Sequence, residues 1–224
     1  MRVFAPPGVF SPISDTWMLA ERLRAEAAVQ GGSVLDVCTG SGAIAISAAL
    51  AGARRVTAGD ASRRAALAAR LNARLNGARV RVLHGDLFEP VAGERFDLIV
   101  SNPPYVPSRP DAPRGHGPRA AWDGGGDGRE LIDRICDGLP GHLRPGGVAL
   151  IVQSSLCGEQ ATLERLRDGG LAADVAERRR GPLGPLMRAR APELERLGVL
   201  APGRREEELL VLRGTAAASV AVGR

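Results

Sequence analysis

Residues 101–106 of the chain, SNPPYV, place an amide side chain before two consecutive prolines and the chain's only tyrosine. Proline has a fixed φ angle and no N–H donor, so Pro103 and Pro104 stiffen the turn. The carbonyl oxygen of Pro103 and the side-chain oxygen of Asn102 can therefore be held as outward-facing acceptors. Two converging acceptors suit a planar NH2 group, on which Tyr105 could stack. The stretch predicts a site that orients and polarises a nitrogen whose lone pair is otherwise delocalised.

A glycine-rich loop and three acids stand earlier in the chain, each near the end of a strand-like run. The loop, DVCTGSG, contains Gly40 and Gly42, and the acids are Asp36, Asp60 and Asp86. Glycines let the backbone approach a ligand, and the N-terminus of the helix that follows offers free N–H groups to an anion. The combination predicts a nucleoside cofactor at the ends of three successive strands.

Two cofactor classes compete for this loop. Gly40, Gly42 and Ala45 satisfy the dinucleotide pattern G-x-G-x-x-G/A, and Asp60 lies about 20 residues further on, where a ribose would be held. By that pattern alone the chain would be a nicotinamide (NAD) or flavin oxidoreductase. The pattern is weakly specific, because any nucleoside cofactor over the end of the first strand needs the same backbone.

Asp36 separates these alternatives, because it lies inside the strand two residues before the turn. A carboxylate there would repel a pyrophosphate but could accept hydrogen bonds from an ammonium group. S-adenosylmethionine carries an ammonium group, a carboxylate for the loop amides, a ribose for Asp60 and an adenine. Asp86 can accept from the adenine amino group, and Leu87 can provide an apolar wall. The acids therefore favour S-adenosylmethionine as the cofactor.

The elements that must position these residues alternate between apolar strand-like runs and alanine-rich helical runs, which is typical of a wound α/β sheet. Strands are predicted at 33–38, 54–60, 79–86, 96–101, 147–153, 171–178 and 208–213, and helices near 13–28, 42–52, 62–77, 128–139 and 158–168. We expect a seven-stranded, mostly parallel, Rossmann-like sheet with helices on both faces. NPPY then follows the fourth strand, at the edge where ligands bind in open α/β folds.

Two helices carry recognisable ends. Ser62 can cap the helix over 62–77 and Gly77 can end it, while Ser14 or Asp15 can cap the N-terminal helix. Five apolar positions of the 62–77 helix are expected on one face: Ala65, Leu67, Ala68, Leu71 and Leu75.

Composition bounds the class of protein. The 224 residues are 44% hydrophobic, so we expect one domain with a sizeable core. All 30 basic residues are arginine and the net charge is +5, which indicates codon bias more than an anionic partner such as nucleic acid. Three unpaired cysteines, the lack of an apolar membrane-spanning run and the lack of a secretion signal predict a cytoplasmic protein without a membrane partner.

Several of these motifs together resemble a known family. VLDVCTGSG, GD at 59–60, GDLF at 85–88 and SNPPYV are similar to class I S-adenosylmethionine-dependent methyltransferases with an amino-methylation motif. More narrowly, the chain resembles the HemK-type glutamine methyltransferases, which modify the GGQ glutamine of translation release factors. AWDGGGDGRELI (121–132) and RGPLGPLMRARAPEL (180–194) resemble that family's glycine-rich stretch and late insertion. The resemblance covers residues 10–213.

The resemblance also implies roles for particular residues. GVFSPISDTWMLAERL looks like the opening of the family's short branch, in which a P-x-x-D-T segment closes over the cofactor. Cys38 replaces a usual glycine, and its backbone contact survives that change. The cofactor-binding residues would be Thr16, Asp36, Cys38, Thr39, Gly40, Gly42, Asp60, Ala61, Asp86, Leu87 and Asn102. The catalytic group would be Asn102, Pro103, Pro104 and Tyr105, and no metal is expected.

The implied domain organisation has three parts. Residues 1–30 would cover the cofactor, residues 31–213 would form the methyltransferase domain with an insertion near 180–203, and residues 214–224 would be a disordered tail. The resemblance implies a protein glutamine as acceptor, such as that of a release factor, and the short branch often works with a small zinc-binding partner protein. Alternatives that the residues leave open are a nucleic-acid base, a peptide or a small amine as acceptor, an oxidoreductase, and a non-catalytic cofactor-binding module.

Overall fold

The computed structural model describes residues 1–108 and 121–218, in which helices and strands alternate. The helices are α1 (Ser14–Ala25), α2 (Ala43–Leu50), α3 (Arg63–Leu75), α4 (Glu130–His142), α5 (Glu159–Asp168) and α6 (Pro185–Arg196). The strands are β1 (Ser33–Val37), β2 (Arg55–Asp60), β3 (Arg81–His84), β4 (Phe96–Ser101), β5 (Leu143–Ser154), β6 (Leu171–Pro182) and β7 (Glu206–Ala216). No helix in this part of the chain has the length and apolar character needed to cross a membrane.

The seven strands form one sheet in the order β3-β2-β1-β4-β5-β7-β6. β1 to β5 pair in parallel, and β7 runs antiparallel to both β5 and β6. Alternate residues of the strands face two apolar clusters, one packed against α1, α2 and α3 and the other against α4 and α5. The predicted mostly parallel α/β sheet with helices on both faces is confirmed.

The carboxyl ends of β1, β2, β3 and β4 lie side by side. Val37 at the end of β1 is in register with Gly59 and Ser101, and Asp60 is in register with His84. Since parallel strands end at the same edge of a sheet, the four loops that follow them are neighbours. This register brings the glycine loop, the loops after β2 and β3, and NPPY to one place.

The last two strands are longer than the sequence pattern predicts. β6 extends to Pro182, whose register partner is Glu206 at the start of β7, and the insertion between them contains the twelve-residue α6. The expected tail was wrong at its start, because residues 214–216 belong to β7: Gly214 and Thr215 pair with both β5 and β6, and Ala216 pairs with β6. Residues 219–224 lie outside the described residues.

In helix α3 the predicted N-terminal cap is confirmed, but the predicted buried face is wrong. Ser62 Oγ accepts a hydrogen bond from Ala65 N at 3.3 Å, as predicted. However, Leu67, Leu71 and Leu75 are exposed, and the buried face consists of Ala65, Ala66, Ala68, Ala69, Asn72 and Ala73. The leucines repeat every four residues on a neighbouring stripe, whereas the small alanines allow α2 and α3 to approach closely.

The N-terminal segment crosses α3 before it reaches the ligand edge of the sheet. Asn72 acts like a strand partner for Phe4, since its Oδ1 accepts from Phe4 N at 2.9 Å and its Nδ2 donates to Phe4 O at 2.8 Å. Asn76 holds Arg2 by a similar pair of hydrogen bonds. The residues that follow this double attachment continue over the glycine loop.

Candidate active site

A cavity of about 550 Å3 opens at the carboxyl edge of the parallel strands. Twelve of the residues predicted for the site line it: Thr16, Cys38, Thr39, Gly40, Asp60, Ala61, Asp86, Leu87, Asn102, Pro103, Pro104 and Tyr105. Asp36 and Gly42 do not contribute to its wall. The elements predicted to share one edge therefore do converge on a single cavity.

Asn102 is oriented by the N-terminal segment. Its Nδ2 donates to Thr16 Oγ1 at 3.2 Å, and the Thr16 hydroxyl donates in turn to Asp15 Oδ1 at 3.2 Å. Because the nitrogen of the amide is used in this way, Oδ1 of Asn102 is left as the acceptor. Pro103, whose φ is fixed, lines the same wall, and its carbonyl is the predicted second acceptor.

Asp15 connects both ends of the NPPY turn to α1. Its Oδ2 accepts from the Tyr105 hydroxyl at 2.7 Å, and its Oδ1 also accepts from Thr16 N at 2.5 Å. The side chain is buried, and it makes no capping hydrogen bond, so the predicted cap role for Asp15 or Ser14 was wrong. Burial, followed by the Asp15 charge, raises the pKa of Tyr105 well above its ordinary value. Tyr105 therefore remains a hydrogen-bond donor at neutral pH.

We expect Asp15→Ala to lower kcat/KM for the reaction at this cavity by roughly 10- to 100-fold, because two buried hydroxyl groups lose their acceptor. Thr16 would then be free to rotate away from Asn102. Steady-state kinetics with the Ser14→Ala protein as control would measure this, since Ser14 precedes Asp15 in α1 and has an exposed side chain. Equal kinetics for the two variants would contradict the positioning role.

Asp36 lies behind the glycine loop and not on the cavity wall. Its Oδ2 accepts from Thr39 Oγ1 at 2.6 Å and from Ala45 N at 3.0 Å, so it braces the loop against the first turn of α2. Its Oδ1 is buried without a partner among the described residues. Burial raises the pKa of Asp36 to about 7, and the charge of Asp60 adds to this. These contacts give Asp36 a supporting role for the loop, and its direct contact with an ammonium group stays a prediction.

The loop itself is held by Asp60. Its Oδ2 accepts from Gly40 N and its Oδ1 from Ser62 N, both at 2.8 Å. Gly42 has a φ of +84°, and an added Cβ would lie 3.0 Å from that of Ala69, so this glycine serves helix packing instead of the cavity. The turn does tolerate Cys38 in a left-handed conformation, with φ of +61°. Burial raises the pKa of its thiol, which therefore stays protonated.

Asp86 and Leu87 form the opposite wall. Asp86 forms an ion pair with Arg134 of α4, and its side chain is 40% exposed. The carboxylate is thus partly engaged already, and its predicted hydrogen bond to an adenine would use a remaining lone pair. Leu87 lines the cavity as well and has an unusual positive φ of +44°.

The insertion between β6 and β7 completes the cavity on the NPPY side. Leu183, Met187 and other residues of the insertion pack with Val106, Tyr105 and Trp122 in a separate apolar cluster. Arg190 of α6 lies over the Trp122 ring, with 5.2 Å from its guanidinium carbon to the ring centroid. Several lining residues were not among the predicted site residues: Phe10, Asp15, Met187 and Glu207.

The chemistry of the wall suits S-adenosylmethionine. Gly40 faces open space, since an added Cβ would meet nothing nearer than Phe10 at 3.9 Å, and this leaves the loop backbone accessible. The Asp60 carboxylate retains lone pairs for ribose hydroxyls after accepting its two backbone N–H groups. Leu87 supplies an apolar surface for a base, and the NPPY acceptors stand in the same cavity.

Comparisons with known proteins agree with this geometry. The family model "Methyltransferase small domain" matches residues 1–112, half of the chain. A candidate protein N5-glutamine methyltransferase of Methanocaldococcus jannaschii is 38% identical over 181 residues, which cover 81% of this chain and 90% of that protein. The release factor glutamine methyltransferase of Geobacter sulfurreducens is 41% identical over 153 residues, or 65% of this chain, which spans about half (53%) of that longer protein.

A solved structure shares the fold at low sequence identity. It is the Mtq2-Trm112 complex of E. cuniculi, responsible for methylation of the eRF1 translation termination factor, with a TM-score of 0.66 and 22% identity over 94% of this chain and 99% of that one. The fold, the cavity and these relatives lead to the same assignment. The chain belongs to the HemK-type family of class I S-adenosylmethionine-dependent methyltransferases.

Proposed function

We propose that the protein transfers a methyl group to the side-chain nitrogen of a protein glutamine. The observation that carries this proposal is the orientation of Asn102, whose nitrogen is held by Thr16 so that its oxygen is the acceptor. Together with the Pro103 carbonyl it matches the two hydrogens of a primary amide. The likeness to protein N5-glutamine methyltransferases supports glutamine as the source of that amide.

The chain's own residues orient the nucleophile. S-adenosylmethionine, when bound, would supply an electrophilic methyl group on a sulfonium. As the N–CH3 bond formed, the S–CH3 bond would break, the sulfur would leave as a neutral thioether, and the amide nitrogen would release one of its two protons. Asn102 Oδ1 and the Pro103 carbonyl accept both amide hydrogens, which polarises the nitrogen and turns its lone pair toward the methyl group. Such alignment contributes up to roughly 7 to 11 kcal/mol, and fixed acceptors stabilise the positive charge that develops on nitrogen. Tyr105, fixed by Asp15, forms the surface against which the planar amide lies.

Different parts of the wall serve the cofactor. Asp60 holds the ribose, the backbone at Gly40 faces the methionine carboxylate, and Leu87 with Asp86 contacts the adenine. Thr16 contacts both the cofactor and Asn102. Residues 1–30 act as a cover over the cofactor on the methyltransferase domain, which extends from residue 31 to the end of β7 at residue 216.

We propose a translation release factor as the physiological acceptor and a small partner protein as an auxiliary subunit. The named relatives support both points, since one is a release factor glutamine methyltransferase and the other is solved with Trm112. The insertion near 180–203 would contact this acceptor, because it forms the NPPY side of the cavity. The cytoplasm, where translation takes place, would be the site of action.

A transfer assay tests the acceptor directly. The protein is incubated with methyl-labelled S-adenosylmethionine and either a GGQ-bearing release factor, the same factor with its glutamine changed to alanine, or nucleic acid. We expect label in the intact factor alone, at the glutamine by mass spectrometry. Label in nucleic acid that Asn102→Ala abolishes would show that the acceptor is a base and not a glutamine, because an adenine or cytosine NH2 fits the same acceptors.

A further inference from the structure

Glu207 is a buried acid in the middle of an otherwise exposed acidic run. Its neighbours Glu206 and Glu208 pair with Arg180 and Arg178 on the outer surface. Glu207 points the other way, as strand alternation requires, and is only 5% exposed. The alternation of side chains at the start of β7 therefore directs one carboxylate inward, into the wall of the cavity.

Only one of the two Glu207 oxygens is satisfied. Oε1 accepts from Gly184 N at 2.7 Å, which fixes the carboxyl group. Oε2 is buried and has no hydrogen-bond partner in the described part of the chain. A buried carboxylate oxygen without a donor is costly, so the arrangement is explained if a ligand supplies the missing donor.

The position of Glu207 assigns it to the acceptor side of the cavity. Its fixed partner Gly184 begins the wall segment formed by Pro185, Leu186 and Met187. The charge of Glu207 also contributes to the raised pKa of Tyr105, which places the two side chains near each other. The residues that suit the cofactor, such as Asp60, stand at the strand ends across the cavity.

We propose that Glu207 Oε2 binds a main-chain N–H of the acceptor polypeptide next to the methylated glutamine. This inference rests on the proposed function and extends it to the substrate class: an acceptor presented in an extended peptide. Both hydrogens of the glutamine amide are used by Asn102 and Pro103, so the donor must come from elsewhere in the substrate. An arginine would engage both carboxylate oxygens, but Oε1 is taken by Gly184, which leaves room for a single N–H.

The isosteric change Glu207→Gln tests this. Its Oε1 can still accept from Gly184, while an NH2 donor replaces the Oε2 acceptor. We expect the KM for a glutamine-containing peptide to rise roughly 10- to 100-fold, with kcat and the S-adenosylmethionine Kd within about threefold. Glu208→Gln is the matched control on the same strand, because it removes only a surface pair. An unchanged peptide KM in Glu207→Gln would overturn the proposal.

A second measurement identifies the donor atom, and its wild-type arm does not depend on how well that variant folds. Both enzymes are assayed with a series of peptides. In each peptide, an ester oxygen replaces one main-chain N–H near the glutamine. We expect one ester position to raise KM roughly tenfold in the wild type and to add nothing in Glu207→Gln. If no position affects the wild type, or both enzymes respond alike, Glu207 does not bind the main chain. Absence of any transfer to glutamine by the wild type would instead refute the proposed function, and this inference with it.

Discussion

Asn102→Ala is expected to lower kcat for methyl transfer by at least about 10^2- to 10^3-fold, the usual cost of removing one preorganised electrostatic group from a catalytic site. The substitution removes the oriented Oδ1 acceptor, and the Pro103 carbonyl alone cannot fix both amide hydrogens. Asn102→Asp should fail as well. The single Thr16 hydroxyl hydrogen is already donated to Asp15, so an aspartate at 102 would place an oxygen against an oxygen.

Binding and catalysis must be separated to interpret this result. Calorimetry should give an S-adenosylmethionine Kd within a few-fold of wild type for Asn102→Ala, because Asp60 and the glycine loop remain. Asn76→Ala is a suitable control, since Asn76 holds the backbone of Arg2 at the surface and not the cavity. If a variant at 102 retained more than a tenth of the wild-type kcat, the result would contradict a catalytic role for NPPY.

The second large effect is a pH-dependent stability that Asp36 introduces. Its pKa is about 7 in the folded protein, mainly because of burial, against 3.8 for the ordinary group. Between these values the folded state keeps a proton that the unfolded state has lost, so this contribution to stability falls as pH rises through the window. Above pH 7 the contribution is fully lost. We expect the unfolding free energy of wild type relative to Asp36→Asn to fall by on the order of 3 kcal/mol between about pH 5 and about pH 8.

Denaturant unfolding of both proteins across that range measures the difference, in which contributions from groups common to both cancel. Asp97→Asn provides a control of opposite sign. Hydrogen bonds from Ser33, together with the positive charge of Arg144, lower the pKa of Asp97. Its contribution is lost only as pH falls below the ordinary carboxyl range, so its difference curve should be flat from about pH 5 upward. A flat curve for Asp36→Asn as well would contradict the shifted pKa of Asp36.

The sequence predicted which residues line the cavity better than it predicted which residues support them. NPPY, Asp60 and Leu87 line one cavity because each lies at or just after the end of a strand, and parallel strands end at one edge. The depth of Asp36 was not predictable from spacing, since loop conformation decides which side chain faces the ligand. Asp15 was mistaken for a helix cap because its partner, Tyr105, lies 90 residues away, and local patterns do not report such contacts.

A further error came from assuming that a stripe of apolar residues marks the buried face of a helix. The leucines of α3 at 67, 71 and 75 share a helical stripe, but the sheet packs against the alanine stripe beside them. Glu207 was not among the predicted site residues, although strand alternation turns every second residue of β7 inward. Alternation applied across Glu206 to Glu208 would have singled it out.

The antiparallel direction of β7 has a consequence for how the family's cavity can vary. β6 ends and β7 begins at the same edge where β1 to β4 end, as the pairing of Pro182 with Glu206 shows. The connection between them, including α6, must therefore emerge beside NPPY. A chain built this way can exchange its acceptor-side wall by altering one surface connection, while the strands that hold the cofactor keep their sequence and register.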